Sequence, residues 1–222
     1  MRVPDLLVPA TQPPTVDVPD ARRRRRTVVA VTIVVGTVLL AATLRVEDGS
    51  TWFTVLGLLV AATWTIGSFA SGPIPFHPDR VGLGRALLAP AVAGIAAYVA
   101  FVVASLVAQH LPVLGPALDG ILDTADAGSL VVVLLVAWVN GVGEELFFRG
   151  ALHAALEPHR PAITTTIVYI VVTAATGNVA LVIAAVVMGA LFALERLSTR
   201  GVLAPIVTHV TWTTLMVLAL PR

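Results

Sequence analysis

Gly143-Glu144-Glu145-Leu146-Phe147-Phe148-Arg149-Gly150 places two adjacent glutamates and an arginine inside a run that otherwise reads as membrane-spanning. A charged side chain near the bilayer centre costs about 2.5–3.5 kcal/mol on insertion scales, so charges this dense call for a polar site inside a helical bundle. The rest of the chain agrees. Its 222 residues are 57% hydrophobic and 12% charged, where a soluble domain carries about 25% charged residues. The expected fold is all-α, a polytopic transmembrane helical bundle embedded in a lipid bilayer.

Working outward, apolar runs near the roughly 20 residues that cross the hydrocarbon core cover 27–44, 51–70, 86–109, 129–156, 162–176, 178–195 and 201–220. That makes about seven spans. Residues 1–26 read as a disordered cytoplasmic tail, 27–85 as two N-terminal spans and a linker, and 86–222 as the main membrane domain. The apolar stretch after Arg22–Arg26 is longer than a signal-peptide core, so it is expected to stay as an uncleaved first span. With Arg22–Arg26 in the cytoplasm, Arg80, Arg85, Arg160, Arg196 and Arg200 fall on the same side. Arg45 and Arg222 fall opposite, with Glu47, Asp48, Asp119, Asp123 and Asp126. This is a positive-inside distribution with the N-terminus in the cytoplasm. Gly72–Gly84 reads as a cytoplasmic linker, 110–128 as an external loop with a short re-entrant or amphipathic piece, and Thr176-Gly177-Asn178 as a tight turn.

All 14 basic residues are arginine and there is no cysteine. Disulfides and thiolate metal sites are therefore excluded. No glycine-rich phosphate loop or nucleic-acid signature occurs. A chain rich in Ala, Val and Arg without Lys fits a GC-rich bacterial genome, and hence a bacterial plasma membrane.

Residues three and four apart share a helix face. On the fourth span, Asn140 and Glu144 follow one another, while Glu145 pairs with Arg149 and Arg149 with His153. One arrangement has Glu145 neutralised by Arg149 and Glu144 facing the bundle interior. The plainer one is an intrahelical salt bridge near the cytoplasmic helix end. His209, in the seventh span, lies about 13 Å along its helix from Arg200, a depth compatible with contact to Glu144. Carboxylate and imidazole are suitable zinc ligands, and glutamate is the usual base of metalloproteases.

Glu144-Glu145-x-x-x-Arg149, followed by Gly150-Ala151-Leu152, resembles the first motif of the CAAX prenyl protease and bacteriocin-processing (CPBP, Abi) family of intramembrane metalloproteases. Leu203-Ala204-Pro205-Ile206 leading to His209 resembles the family's third motif. The resemblance covers about 86–220, with 129–213 its specific part. It implies a membrane endopeptidase acting on a membrane-associated peptide, with a Zn2+ site opening toward the cytoplasm. In that analogy Glu144 activates the metal-bound water, His209 and Glu144 are metal ligands, Glu145 supports the site and Arg149 holds the glutamates. Two positions depart from the pattern. After Phe192 the second motif's histidine is Arg196, and four residues beyond His209 stands Thr213 instead of Asn or Asp. Asn140, Phe192, Glu195, Arg196 and Thr213 are candidate lining residues. The alternative is a catalytically inactive family member, a membrane binding or scaffold protein with Arg196 paired to Glu144 or Glu145.

Overall fold

The computed structural model describes residues 19–47, 50–76, 83–157 and 159–219. The expected tail as far as residue 18, Asp48, Arg80, Arg222 and the side chains of Arg85 and Asp126 lie outside them. The described residues form helices joined by short turns: α1 (Pro19–Thr43), α2 (Thr51–Ser71), α3 (Leu83–Ala108), α4 (Leu114–Asp126), α5 (Leu130–Glu145), a π-helical stretch (Leu146–Leu152), α6 (His153–Leu156), α7 (Pro161–Ala174), α8 (Val179–Thr199) and α9 (Leu203–Ala219).

Each of the seven apolar runs is helical. Five helices are long and apolar enough to cross a membrane: Asp20–Thr43, Thr51–Ser71, Ala86–Ala108, Leu130–Leu156 and Val179–Thr199. Two are shorter, Pro161–Ala174 and Leu203–Ala219. At 1.5 Å per residue the first of these two reaches only about 21 Å. The chain is a multi-pass helical protein.

Helix boundaries follow local chemistry. The Ser50 side chain accepts from Phe53 N–H at 3.2 Å and starts α2. Asn178 Oδ1 accepts from Ala180 and Leu181 N–H at 2.9 and 3.1 Å and starts α8, which is ordinary N-capping. Gly177, at φ +78°, makes the preceding turn. α8 ends at Arg200 in the left-handed region, so it runs past the expected residue 195 and carries Arg196 inside the helix. The segment expected as a loop, 110–128, forms α4, whose Leu114, Leu118, Ile121 and Leu122 share one face. Asn178 Nδ2 ties it to the α7–α8 turn by donating to the Ala117 carbonyl at 2.9 Å.

The expected tail boundary at residue 26 is too late. Helix α1 begins at Pro19, so Arg22–Arg26 are helical. The reason lies in α2: Arg24 donates to the Ala70 carbonyl at 3.0 Å, and Arg25 is buried against Gly72. Cations at a helix C-terminus satisfy its last carbonyls and its dipole. Next to this end, Val202 and Leu203 N–H donate to the Pro75 and Phe76 carbonyls. The arginine-rich start of α1, the C-terminal end of α2 and the start of α9 therefore meet.

Trp64, Phe147 and Phe148 form the aromatic centre, with ring centroids 4.9–5.3 Å apart. The Trp64 indole lies directly on Gly36 of α1, where an added Cβ would stand 2.3 Å from the ring. Gly36→Val should therefore lower stability by about 1–3 kcal/mol through overpacking. Gly84→Ala, whose Cβ meets nothing within 4 Å, should be close to neutral. Thermal unfolding of both variants in detergent checks this.

Candidate active site

The glutamates and arginine sit where α5 passes into the π-helical stretch. Every residue from Glu145 to Leu152 is buried. A π turn is wider than an α turn and often marks a functional position. Here it turns Glu145 and Arg149 into the bundle. The pair expected from their spacing forms, with Arg149 Nη1 3.1 Å from Glu145 Oε1 and both side chains fully buried.

A guanidinium so placed needs further partners. Arg149 Nη2 donates to the Gly189 carbonyl of α8 at 3.2 Å. Its guanidinium carbon also lies 4.7 Å from the Tyr169 ring centroid and 5.0 Å from that of Phe192. Those distances are within the range of cation–π attraction. Arg149 thus ties α5, α7 and α8 together.

Glu145 Oε1 has a second partner, His209 Nδ1 of α9, at 3.1 Å. The other carboxylate oxygen, Oε2, is buried without a hydrogen bond. A carboxylate at Nδ1 fixes both the tautomer and the orientation of an imidazole, so Nε2 is the free nitrogen of His209. The His209 ring also stacks on Phe192, with centroids 4.8 Å apart and planes inclined by 22°.

Glu144, half-buried, points elsewhere. One of its oxygens accepts from the Tyr169 hydroxyl at 3.1 Å. It lines a chamber of about 250 Å³ shared with His209, Asn140 and Tyr169. Asn140 holds the wall, its Nδ2 donating to the Gly57 and Val136 carbonyls at 2.9 and 2.8 Å. The chamber runs away from the arginine-rich end, toward Leu44, Phe53, Thr176 and Leu181. The arginine-rich side below Glu144 is filled by Trp64, Phe147 and Phe148, all fully buried.

The remaining candidates lie outside the chamber lining. Arg196 pairs with neither glutamate. Its Nε donates to the Arg149 carbonyl within the π turn at 2.8 Å, and it forms no ion pair among the described residues. Glu195 hydrogen-bonds Thr208, and the Thr208 hydroxyl also lies 3.0 Å from the Pro90 carbonyl. Thr213 Oγ1 is buried without a partner. His153 is buried beside the exposed Glu157, at 3.5 Å.

Catalytic zinc usually takes three protein ligands and keeps one open position. Among the described residues no three His, Asp or Glu side chains come together as a metal-binding group. Glu144 and His209 are the carboxylate and the imidazole of the chamber, and Arg196, at the family's histidine position, is turned into the π turn. The donor set falls short of the expected zinc site.

Residues 126–215 match a family model described as type II CAAX prenyl endopeptidase Rce1-like. Over those residues the chain is similar to that family. The match spans α5 through most of α9, the helices that carry both glutamates, Arg149 and His209, and it agrees with the resemblance drawn from the motifs. No curated protein matches the chain, and no solved structure does. Within the matched region, sequence reasoning missed Tyr169 and the Gly189 carbonyl. Tyr169 left one signal, as one of only two tyrosines in the chain and set in an apolar helix.

Arg149→Met should cost about 3–5 kcal/mol, the usual penalty for leaving a buried partner unpaired. Adding Glu145→Gln should recover part of that loss. Unfolding midpoints of the single and double variants in detergent check this coupling.

Proposed function

We propose that this protein is an intramembrane endopeptidase that hydrolyses a membrane-associated peptide, with Glu144 as the base that activates water. The observation that carries the reading is the division of labour between the adjacent carboxylates. Glu145, fully buried, gives its Oε1 to both Arg149 and His209. Glu144 faces the chamber with one oxygen bound to Tyr169 and the other without a hydrogen bond among the described residues. A carboxylate held in that way can orient a water, take its proton as the oxygen attacks a peptide carbonyl, and return the proton to the departing amine. Tyr169 fixes the carboxylate rotamer. His209, set by Glu145, offers Nε2 to the reacting groups, and Arg149 positions both through Glu145.

No step in this reading passes through zinc. Glu144 and His209 would serve as two ligands, and a working zinc site would need a third donor from the substrate or solvent. The family resemblance supports proteolysis, and the membrane-spanning helices support a membrane-bound substrate. N-terminus in the cytoplasm is part of the proposal, resting on the arginine distribution.

Glu144→Gln should lower cleavage of a membrane-anchored reporter by about 10²–10⁴-fold, the usual contribution of a general base, while leaving the fold intact. Tyr169→Phe should lower it less. Purified protein should hold less than one zinc per chain, and cleavage should survive a chelator. Stoichiometric zinc and loss of cleavage on chelation would restore the metalloprotease mechanism.

A catalytically silent binding protein is the second reading, favoured by the diversion of Arg196 to a backbone carbonyl. It is told apart by peptide binding that persists unchanged in Glu144→Gln, with no product from the wild type.

A further inference from the structure

We infer that the arginine-rich start of α1 and the end of α2 form a binding site for one anionic phospholipid. Its phosphate sits on Arg24, and an acyl chain follows an apolar track on α2 that ends at Phe69 and Phe76. The site lies on the surface outside the chamber and does not depend on the endopeptidase reading.

The run Arg22–Arg26 is divided by the helix it stands in. Arg25 continues the buried stripe of Val29, Thr32 and Gly36. That stripe packs on α2, with Thr32 against Gly67, Gly36 against Trp64 and the Arg25 guanidinium against Gly72. Arg24 is turned about 100° from Arg25 and reaches the edge of the same seam, where its Nη2 donates to the Ala70 carbonyl at 3.0 Å. A guanidinium carries five N–H donors, and the others of Arg24 have no partner among the described residues. Arg22, Arg23 and Arg26 are exposed and make no ion pair or side-chain hydrogen bond there. Asp20, in the same first turns of α1, is exposed and pairs with none of them. Arg24 is thus a planar fork already fixed by a backbone bond, with donors to spare and further cations beside it. Such a group binds phosphate with little rotamer entropy left to lose.

The apolar half of the site adjoins this arginine. Phe69, next to Ala70 in the chain, stacks on Phe76, with ring centroids 6.2 Å apart and planes inclined by 18°. The two residues are 53% and 46% exposed. Their backbones are pinned all the same: the Phe69 carbonyl accepts from Gly72 N–H at 3.3 Å and the Phe76 carbonyl from Leu203 N–H at 3.2 Å. Leu59, Ala62 and Ile66 are exposed as well, and their spacing to Phe69 places all four on one helix face. The track from Leu59 to Phe69 is roughly 15 Å long at helical rise, and it leads to the stacked rings beside Arg24. In a bilayer that face meets acyl chains. A topogenic role for the arginines asks only for charge; it does not ask for the bond to Ala70 or for the pinned rings. Free phosphate would use the arginines alone, and an acidic peptide would leave the track bare. One phospholipid with a net negative headgroup engages both halves.

The full chain, purified in a neutral detergent, is titrated with phosphatidylglycerol or with phosphatidylcholine of the same acyl chains. Bound lipid is counted by native mass spectrometry, and the unfolding midpoint is recorded. Phosphatidylglycerol should bind preferentially and raise the midpoint above that in phosphatidylcholine. Arg24→Gln should weaken phosphatidylglycerol binding by about fivefold, the worth of about one basic residue at an anionic surface. The double variant Phe69→Ala/Phe76→Ala, which leaves every arginine in place, should weaken it too. Arg45→Gln is the control of equal charge: Arg45 also donates to a helix carbonyl, that of Ala41 at 3.0 Å, but at the other end of α1, and its loss should leave binding unchanged. Equal binding of the two lipids overturns the site, as does equal weakening by Arg24→Gln and Arg45→Gln. Inorganic phosphate or a polyglutamate peptide that raises the midpoint as far as phosphatidylglycerol does overturns the lipid as its occupant. If Arg24→Gln does not fold, the aromatic double variant still decides, because undiminished phosphatidylglycerol binding there overturns the inference.

Discussion

The helices around the site are organised by one buried guanidinium. Arg149 is fully buried, and an arginine in that position remains charged. Its partners come from separate helices: Glu145 one turn away on the same helix, the Gly189 carbonyl on α8, the Tyr169 ring on α7 and the Phe192 ring on α8. Because each contact is needed to offset the cost of desolvation, the arginine fixes the relative positions of those helices. The same constraint reaches α9, since the oxygen that neutralises Arg149 also holds His209. The catalytic geometry proposed here is thus a by-product of burying a charge. Glu144 keeps one oxygen toward the chamber, while Oε1 of its neighbour serves both Arg149 and His209.

The charged block was legible in the sequence because periodicity and solvation cost act on short segments. Glu145 and Arg149 are four residues apart, and lipid leaves little choice but to pair them. The helical character of every apolar run was legible for the same reason. The direction of the chamber was not. It depends on how Trp64 of α2 meets Phe147 and Phe148, a contact between segments more than eighty residues apart that no local pattern encodes. The π turn was also hidden, since Leu146–Leu152 has the composition of an ordinary α-helix. Tyr169 sits among threonines and aliphatic residues on α7, and only the fold brings its hydroxyl to Glu144.

Arg196 shows most clearly where motif reasoning and structure part. Read as a missing histidine, it marks a lost metal ligand and a cation available to the glutamates. In the structure it faces neither glutamate. Its Nε bonds the Arg149 carbonyl, inside the stretch where the helix is wound most loosely and backbone bonding is poorest. A charge-assisted bond of that kind is worth roughly 1.5–3 kcal/mol, and it falls on the backbone of the residue whose side chain organises the site. The charge itself, near the arginine-rich end of α8, costs less there than at the bilayer centre. The substitution therefore puts a brace where the family pattern has an imidazole.

That exchange bears on the choice between an enzyme and a silent relative. A carboxylate in a membrane interior is costly, and Glu144 lines the chamber with one oxygen on Tyr169 and the other without a hydrogen bond among the described residues. Tyr169 and His209 are both held by carboxylates at the chamber floor. The brace at Arg196 and the free carboxylate at Glu144 fit together if rigidity of the π turn, instead of metal coordination, is what positions the base. In that case Arg196 and Glu144 belong to one mechanism.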